Sequence, residues 1–136
     1  MLQPRKSKYR KQFRGRMKGI ATKGVNLAFG LYGLKSQGRG WLSAQQIEAA
    51  RKAITHCTKR AGKVWIRVFP SKPVTKKPSG MRMGGGKGEI EGFVVPIVPG
   101  KIVFELAGVS EEMAHQALKK AAAKLPFKTK FVIKSE

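Results

Sequence analysis

The segment from Ser43 to Gly62 repeats its apolar residues at the spacing of an amphipathic helix. Ser43 is a typical N-cap residue, and Gln46 three positions later completes a capping-box signature. Gly62 is free to adopt the left-handed conformation that ends many helices. The apolar positions are Ile47, Ala50, Ile54, Cys57 and Ala61. The pattern predicts a first helix that packs this stripe against a core.

A second helical pattern begins at Ser110, the predicted N-cap, and stops before Pro126. Acidic residues lie in its first turn and basic residues near its end, which favours a helix through its dipole. These charged residues are Glu111, Glu112, Lys119, Lys120 and Lys124. Its predicted apolar face consists of Met113, Ala117, Ala121 and Leu125.

Shorter apolar segments with alternating or β-branched residues predict strands. They lie at residues 25–31, 63–69, 89–98, 101–106 and 128–134, and a Pro-Gly turn separates the third from the fourth. In this order the elements predict an α+β fold. We expect a two-layer sandwich, with two helices on one face of a mixed, mostly antiparallel sheet.

Three segments are predicted to be irregular: a basic tail at residues 1–23, a Gly-rich turn at 35–41, and a long loop at 70–88. The loop contains three prolines, which remove amide donors, and five glycines, which loosen the backbone. Loops of this length are usually functional or disordered. The length of 136 residues fits one domain, residues 1–136, that includes the tail and the basic functional loop.

Charge is distributed very unevenly along the chain. Residues 1–88 contain 22 Lys and Arg but one acid, Glu48, for a net charge of +21, and the remaining residues contain seven Lys and six Glu. Charge of one sign repels itself and destabilises a compact state unless a polyanion or salt neutralises it. Nucleic acids are the polyanions that such proteins bind. The composition therefore predicts a nucleic-acid partner for the first two-thirds of the chain.

Residues that support catalysis or metal binding are scarce and scattered. The chain has no Asp, and His56 and Cys57 are adjacent, so on a helix they point about 100° apart. A zinc site needs about four converging ligands. A phosphate-binding loop needs Ser or Thr after Lys87, where Gly88 stands. We therefore predict no enzyme activity, no metal and no cofactor.

Charge alone does not separate RNA from DNA. Extended basic segments on a small core suit the irregular surface of an RNA better than a duplex groove. Two alternatives stay open at this point: a nucleic-acid-modifying enzyme with an RNA-binding tail, and a non-specific DNA compactor.

A series of motifs in order along the chain matches a known family. They are MLQP at residues 1–4, YRK at 9–11, FG at 29–30, QIEAAR at 46–51, KVWIRVFP at 63–70, RMG at 82–84 with GKG at 86–88, and AAKLP at 122–126. Over essentially its whole length the chain resembles large-subunit ribosomal protein sixteen, of the bacterial and organellar type.

This resemblance implies an α+β sandwich that binds large-subunit ribosomal RNA near the peptidyl-transferase region. It also implies a role in late subunit assembly and contacts with A-site and P-site transfer RNA. The expected ribosomal-RNA contacts are Arg5, Lys6, Lys8, Arg10, Lys11, Arg14, Arg16, Lys18, Lys35, Arg39, Lys59 and Arg60. The expected residues near transfer RNA are Arg51, Lys52, Lys76, Lys77, Arg82, Met83 and Lys87.

The chain departs from the family pattern at two places. Gly85 stands where the family often has Lys, which weakens the expected grip of the loop on transfer RNA. Gly92 and Phe93 stand where a Tyr-Trp pair is common, which changes the packing behind that loop.

The expected partners are large-subunit ribosomal RNA, transfer RNA and neighbouring ribosomal proteins, with no membrane and no small-molecule substrate. The longest apolar run, residues 93–98, is far shorter than the ~20 residues of a membrane span. The single Cys57 excludes an internal disulfide. The expected location is the ribosome, in the cytoplasm or in an organelle.

Overall fold

Seven strands and two helices form the part of the chain that the structure, a computed structural model, describes: residues 2–5, 19–76 and 89–134. The elements are β1 (Tyr32–Ser36), β2 (Gly40–Ser43), α1 (Ala44–Cys57), β3 (Lys63–Ile66), β4 (Lys72–Lys76), β5 (Glu89–Ile97), β6 (Ile102–Ala107), α2 (Glu111–Ala122) and β7 (Thr129–Ile133). The strand pairings among these residues are antiparallel. The predicted α+β class is confirmed.

The strands are divided between two sheets. The larger sheet has the order β3-β6-β1-β7, and the smaller sheet has the order β2-β5-β4. The chain crosses from the smaller to the larger sheet at Gly100, whose φ of 97° favours glycine. The Gly100 amide donates to the Ser36 carbonyl at 2.8 Å, which ties this crossing to the end of β1.

The two helices pack side by side over one face of the larger sheet. α2 contacts β1 and β7, while α1 contacts β3 and also reaches β2 and β5 of the smaller sheet. Phe104 and Leu106 of β6 and Ile47 and Ile54 of α1 have no exposed surface in this layer. Burying one such side chain contributes ~1.5–3 kcal/mol, so the contact between helices and sheet is a main source of stability.

α1 begins as its sequence predicts. The Gln46 amide donates to the Ser43 hydroxyl at 3.2 Å, and the Ser43 amide donates to the Gln46 side chain at 2.9 Å, which completes the capping box. Of the predicted stripe, Ile47, Ala50 and Ile54 are buried, Cys57 is half-buried and Ala61 is exposed.

The end of α1 comes earlier than predicted, at Cys57 rather than near Gly62. Thr58 is the C-cap, and the next two residues, Lys59 and Arg60, adopt φ angles of 54° and 65°. This left-handed pair turns the chain away from the helix axis and projects two cations where the helix was expected to continue.

α2 also begins as predicted, with the Met113 amide donating to the Ser110 hydroxyl at 3.2 Å. Its buried face is rotated relative to the prediction, because Met113 and Leu125 are only half-buried. The buried residues are Ala114, Ala117, Leu118 and Ala121.

The predicted strand at residues 25–31 is wrong, since the first strand begins at Tyr32. This segment instead covers the outer face of the larger sheet, the face away from the helices. A Cβ on Gly33 would lie 2.3 Å from Cδ2 of Leu27, so a larger residue there would have to displace the Leu27 side chain. Its amides at residues 28–30 bond to a side-chain carboxylate rather than to a neighbouring strand.

The prediction of irregular structure for residues 70–88 is wrong in its first part. Residues 72–76 form β4, the edge of the smaller sheet, paired with β5. Pro73 lies opposite Phe93, and an edge strand tolerates proline because one side of it needs no amide donor. Residues 77–88 lie outside the described residues.

The other predicted strands are confirmed with small changes in their bounds, as β3, β5, β6 and β7. The turn predicted at residues 35–41 is shorter, because Lys35 continues β1 and Gly40 begins β2. Within the described residues, neither helix is long and apolar enough to cross a membrane.

Candidate nucleic-acid interface

A basic groove lies between the exposed surfaces of α1 and α2, with a volume of about 990 Å³. We call it the interhelical groove. Its lining residues are Ala49, Lys52, Ala53, Thr55, His56, Lys59, Arg60, Lys120, Ala123 and Lys124. The groove thus combines residues of the strongly basic first part of the chain with lysines from the nearly neutral last part.

Half of these lining residues are cationic and none is acidic. In the part of the chain that the structure describes, neither the lysines nor the arginine of the groove form salt bridges. Their mutual repulsion is unfavourable in the isolated chain, and a bound polyanion relieves it. The groove is therefore a candidate surface for binding a polyanion.

The left-handed turn after α1 places two of these cations. The Arg60 amide donates to the Thr55 carbonyl at 2.9 Å, which holds the turn against the last part of the helix. A non-glycine residue in this conformation costs about 1–2 kcal/mol. Lys59 and Arg60 both adopt this left-handed conformation. The turn therefore has two long cationic side chains at positions where glycine would be less strained.

The structure brings together residues that the sequence analysis assigned to two different RNAs. Lys52 was expected near transfer RNA, and Lys59 and Arg60 at ribosomal RNA; all three line the interhelical groove. Lys120 and Lys124 were not among the predicted RNA contacts, because the sequence pattern indicated them only as partners of the helix dipole. In the sequence their spacing of four residues is that of one helix face, and it was the available signal, although α2 ends at Ala122 and Lys124 lies in the turn after it.

Arg51 differs from the cations of the groove because it already has a partner. Its Nε donates to Glu48 Oε2 at 3.2 Å, and its Nη2 donates to the other carboxylate oxygen. This hydrogen bond lowers the pKa of Glu48 and raises the pKa of Arg51. The expected contact of Arg51 with transfer RNA stays a prediction, and the Glu48 carboxylate offsets its charge.

A second cationic surface lies on the outer face of the larger sheet. Lys35 of β1 is directly opposite Lys130 of β7, and like charges in this position destabilise a sheet. Lys35 and Lys134 also line one shallow depression. We call these three residues the outer-sheet cluster. Lys35 was among the predicted contacts with ribosomal RNA, whereas Lys130 and Lys134 were not recognised.

One acid near this face is enclosed by the protein. Glu105 of β6 is fully buried, and its Oε1 accepts hydrogen bonds from the amides of Ala28, Phe29 and Gly30, each at 2.9 Å. Its Oε2 forms a salt bridge with Arg67. Burial by itself raises the pKa of Glu105, but the hydrogen bonds from Gly30, Arg67, Phe29 and Ala28 outweigh it and hold the pKa below the ordinary value. The carboxylate therefore adds little negative charge to the surface.

The remaining predicted residues are spread over the molecule. Arg5 and Arg39 are exposed, and the Arg39 guanidinium donates to the Gly19 carbonyl. Lys76 is the last residue of β4. The following predicted residues lie outside the described part and stay predictions: Lys6, Lys8, Arg10, Lys11, Arg14, Arg16, Lys18, Lys77, Arg82, Met83 and Lys87.

The groove has the composition of a binding surface rather than of an active site. His56 lines it, and among the described residues that line the groove there is no carboxylate or thiol. An activated nucleophile often has such a group beside a histidine. Across residues 2–5, 19–76 and 89–134, no three His, Cys, Asp or Glu residues are placed to hold a metal ion.

Comparison with known proteins places these surfaces in a family context. The family model described as ribosomal protein L16p/L10e matches residues 4–132. A protein of Porphyromonas gingivalis described as "Large ribosomal subunit protein uL16" is 55% identical over 136 residues, which is 100% of this chain and 94% of the relative. Proteins with the same description from Azobacteroides pseudotrichonymphae and Parabacteroides distasonis are each 54% identical over 100% of this chain, and over 95% and 94% of their own lengths.

Proposed function

The chain belongs to the ribosomal protein L16p/L10e family, and on this basis we propose that it binds large-subunit ribosomal RNA through the interhelical groove and the outer-sheet cluster. As a member it is a structural, non-enzymatic component of the large ribosomal subunit, which in bacteria is a cytoplasmic particle.

The observation that best supports RNA binding is the charge of the interhelical groove. Lys52, Lys59 and Arg60 are distant in sequence from Lys120 and Lys124, yet the packing of α1 on α2 brings them to one groove with no acid in its lining. Glu105 is buried against Arg67 on the other side of the larger sheet, and Glu48 is paired with Arg51. An extended phosphate backbone is the kind of ligand that offsets several fixed cations at once.

The shape of the groove favours RNA over duplex DNA. Proteins that read a DNA duplex usually insert one projecting helix or a β-ribbon into the major groove. In this protein α1 and α2 lie side by side, and the cations line the space between them. A concave basic surface accepts the protruding backbone of a folded RNA, which is recognised by shape and by phosphate contacts.

The family resemblance supports a more specific location and role for this chain. We infer that binding lies near the peptidyl-transferase region, supports late subunit assembly, and positions the chain against A-site and P-site transfer RNA. The RMG and GKG motifs at residues 82–84 and 86–88 support the contact with transfer RNA. Gly85 argues for a weaker contact than in relatives with Lys there.

A charge deletion in the groove tests the binding of ribosomal RNA. Each lost phosphate contact reduces the slope of log K against log salt by ~0.7–0.9, so we expect K120A/K124A to reduce it by ~1.4–1.8. The matched control is K119A/K128A, which removes the same charge from exposed positions outside the groove lining. Equal slopes for the two double variants would contradict the groove as the binding surface.

Sedimentation of the tagged chain from a lysate tests its place in the ribosome. We expect migration with the large subunit at moderate and at high salt, because a built-in component makes many contacts besides charge pairs. Migration with free RNA or DNA that disappears as salt rises would contradict the ribosomal role. Competition between ribosomal RNA and duplex DNA separates the proposal from DNA compaction.

A deletion of residues 80–88 tests the proposed contact with transfer RNA separately. We expect the deleted chain to bind ribosomal RNA as before, because the groove is intact, while ribosomes that contain it translate more slowly. Normal translation by such ribosomes would remove the role at transfer RNA and leave ribosomal RNA binding unaffected.

A further inference from the structure

A stacked aromatic pair, with Phe29 exposed and Trp65 half-buried, lies on the outer face of the larger sheet, apart from the interhelical groove. The side chain of Phe29 is 60% exposed, and its ring stacks on that of Trp65 with centroids 6.0 Å apart and an interplanar angle of 20°. Val64 and Ile66 pack against the core, so the alternation of β3 directs Trp65 to the opposite face.

One cationic side chain lies near each ring of this pair. The guanidinium carbon of Arg67 lies 5.4 Å from the centroid of Phe29, and Nζ of Lys63 lies 5.4 Å from that of Trp65. These distances fall within the range of cation–π interactions. We call Lys63, Trp65, Arg67 and Phe29 the aromatic platform.

The Glu105 carboxylate fixes the platform in place. It accepts the Phe29 amide and both neighbouring amides at 2.9 Å, and it forms a salt bridge with Arg67. One buried group therefore orients both the backbone of Phe29 and the guanidinium beside its ring. An exposed aromatic side chain held this firmly loses little conformational entropy when a ligand stacks on it.

We propose that the aromatic platform stacks an unpaired nucleobase of the ribosomal RNA, at a site distinct from the interhelical groove. The proposal rests on RNA being the partner, as proposed above. Single-stranded nucleic acids are held by aromatic rings that stack on bases, with cationic side chains nearby. Unpaired RNA bases also stack on arginine planes, but the Arg67 guanidinium is largely covered, so the exposed ring of Phe29 is the stacking surface.

The charge of the platform favours a base over a phosphate. The charge of Arg67 is balanced by Glu105, which leaves Lys63 as the platform's uncompensated cation among the described residues. A phosphate contact depends on net positive charge, whereas stacking depends on the exposed ring surface. The interhelical groove, with several uncompensated cations, is the phosphate-binding counterpart.

The test compares F29L with the unchanged chain in binding a short unstructured RNA that contains one fluorescent adenine analogue. Phe29→Leu keeps an apolar side chain at an exposed position, so the fold is preserved while the aromatic ring is lost. We expect affinity to fall about 5- to 100-fold at every salt concentration, with an unchanged salt slope. Fluorescence of the analogue should be quenched by the unchanged chain and much less by F29L.

Two controls separate stacking from other effects. Phe69→Ala removes another exposed aromatic ring that is outside the platform and should leave affinity unchanged. Phe29→Trp enlarges the stacking surface and should restore or increase affinity. A duplex of the same sequence should bind F29L and the unchanged chain equally, because its bases are already stacked.

Equal affinity of F29L and the unchanged chain for the unstructured RNA would overturn the proposal. So would a loss that appears only as a change of salt slope, which indicates a phosphate contact. If F29L binds RNA normally but fails to enter large subunits, the platform contacts a protein instead. A different result would contradict the proposed function itself: the unchanged chain would then bind duplex DNA as well as it binds ribosomal RNA.

Discussion

The interhelical groove and the Glu105 site differ in whether their charged side chains have partners of opposite charge. At Glu105 the protein supplies every partner: three amides bond to one carboxylate oxygen and Arg67 to the other. In the groove, the lining contains cations and no acid. A balanced charge inside the fold contributes to stability, and unbalanced charge on the surface is available to a ligand. Substitutions at the two places should therefore affect different measurements.

The largest expected effect is a loss of stability in Glu105→Ala. Removing one partner of a buried ion pair typically costs about 3–5 kcal/mol, because the other charge and its hydrogen-bond donors lose their partner. The free energy of unfolding, measured in urea, should fall by that amount. Because this substitution also leaves the Arg67 guanidinium without its partner, it tests stability and not RNA binding.

Glu112→Gln is the control for this substitution. Glu112 is exposed in the first turn of α2, where its charge interacts with the helix dipole, and it forms no salt bridge among the described residues. We expect a cost of at most about 1 kcal/mol. If Glu105→Ala lowered the free energy of unfolding no more than this control does, the hydrogen bonds of the carboxylate with residues 28–30 would not stabilise the fold.

The pH dependence of stability should change in Glu105→Gln. The pKa of Glu105 in the folded state lies below the ordinary value of 4.5, so its contribution to stability is complete above that value. The contribution is lost as the pH falls through the folded pKa. Urea unfolding between neutral and acidic pH should therefore show a shallower acid loss in Glu105→Gln than in the unchanged chain.

Part of the acid loss should remain in that variant, because Arg51 also lowers the pKa of Glu48. Identical acid slopes in Glu105→Gln and the unchanged chain would show that Glu105 titrates alike in the folded and unfolded states. That result would contradict its hydrogen-bonded, ionised state in the fold.

Arg60→Gly should separate stability from binding within the interhelical groove. Glycine removes the strain of a left-handed residue but adds freedom to the unfolded chain, so we expect a net gain of about 0.5–1 kcal/mol. The same change should weaken binding of ribosomal RNA and reduce the salt slope by ~0.7–0.9. Unfolding in urea and RNA titration at several salt concentrations measure the two effects.

Arg60→Ala is the matched variant, because it removes the charge and keeps a Cβ in the left-handed conformation. It should bind RNA as weakly as Arg60→Gly without the gain in stability. Equal stability of the two variants would show that the φ of 65° at Arg60 carries no cost in this turn.

Local patterns predicted the helices well because the signals are local. The capping box at Ser43, the N-cap at Ser110 and the apolar spacing of α1 depend on residues within one or two turns. The strand at residues 25–31 was predicted wrongly for the opposite reason. Its backbone conformation is set by Glu105, which is more than seventy residues away in the chain.

The candidate site was predictable in its chemistry and only partly in its residues. Net charge indicated a polyanion partner, and the family resemblance put Lys52, Lys59 and Arg60 among the expected RNA contacts. Lys120 and Lys124 were not, because the last part of the chain is nearly neutral in sum. The net charge of a segment does not show that Glu105 is buried or that α2 packs beside α1, because both are properties of the fold.

The smallest expected effect on stability is that of Glu48→Gln. This substitution converts a balanced cation, Arg51, into an unbalanced one. The Glu48–Arg51 pair is partly exposed and three residues apart on α1, so its loss should cost only about 0.2–0.5 kcal/mol. The substitution frees the Arg51 guanidinium beside the groove-forming face of α1. If Arg51 reaches the RNA as predicted, the salt slope should become steeper by ~0.7–0.9. An unchanged slope, with Arg51→Ala also binding normally, would show that Arg51 is a structural residue and not an RNA contact.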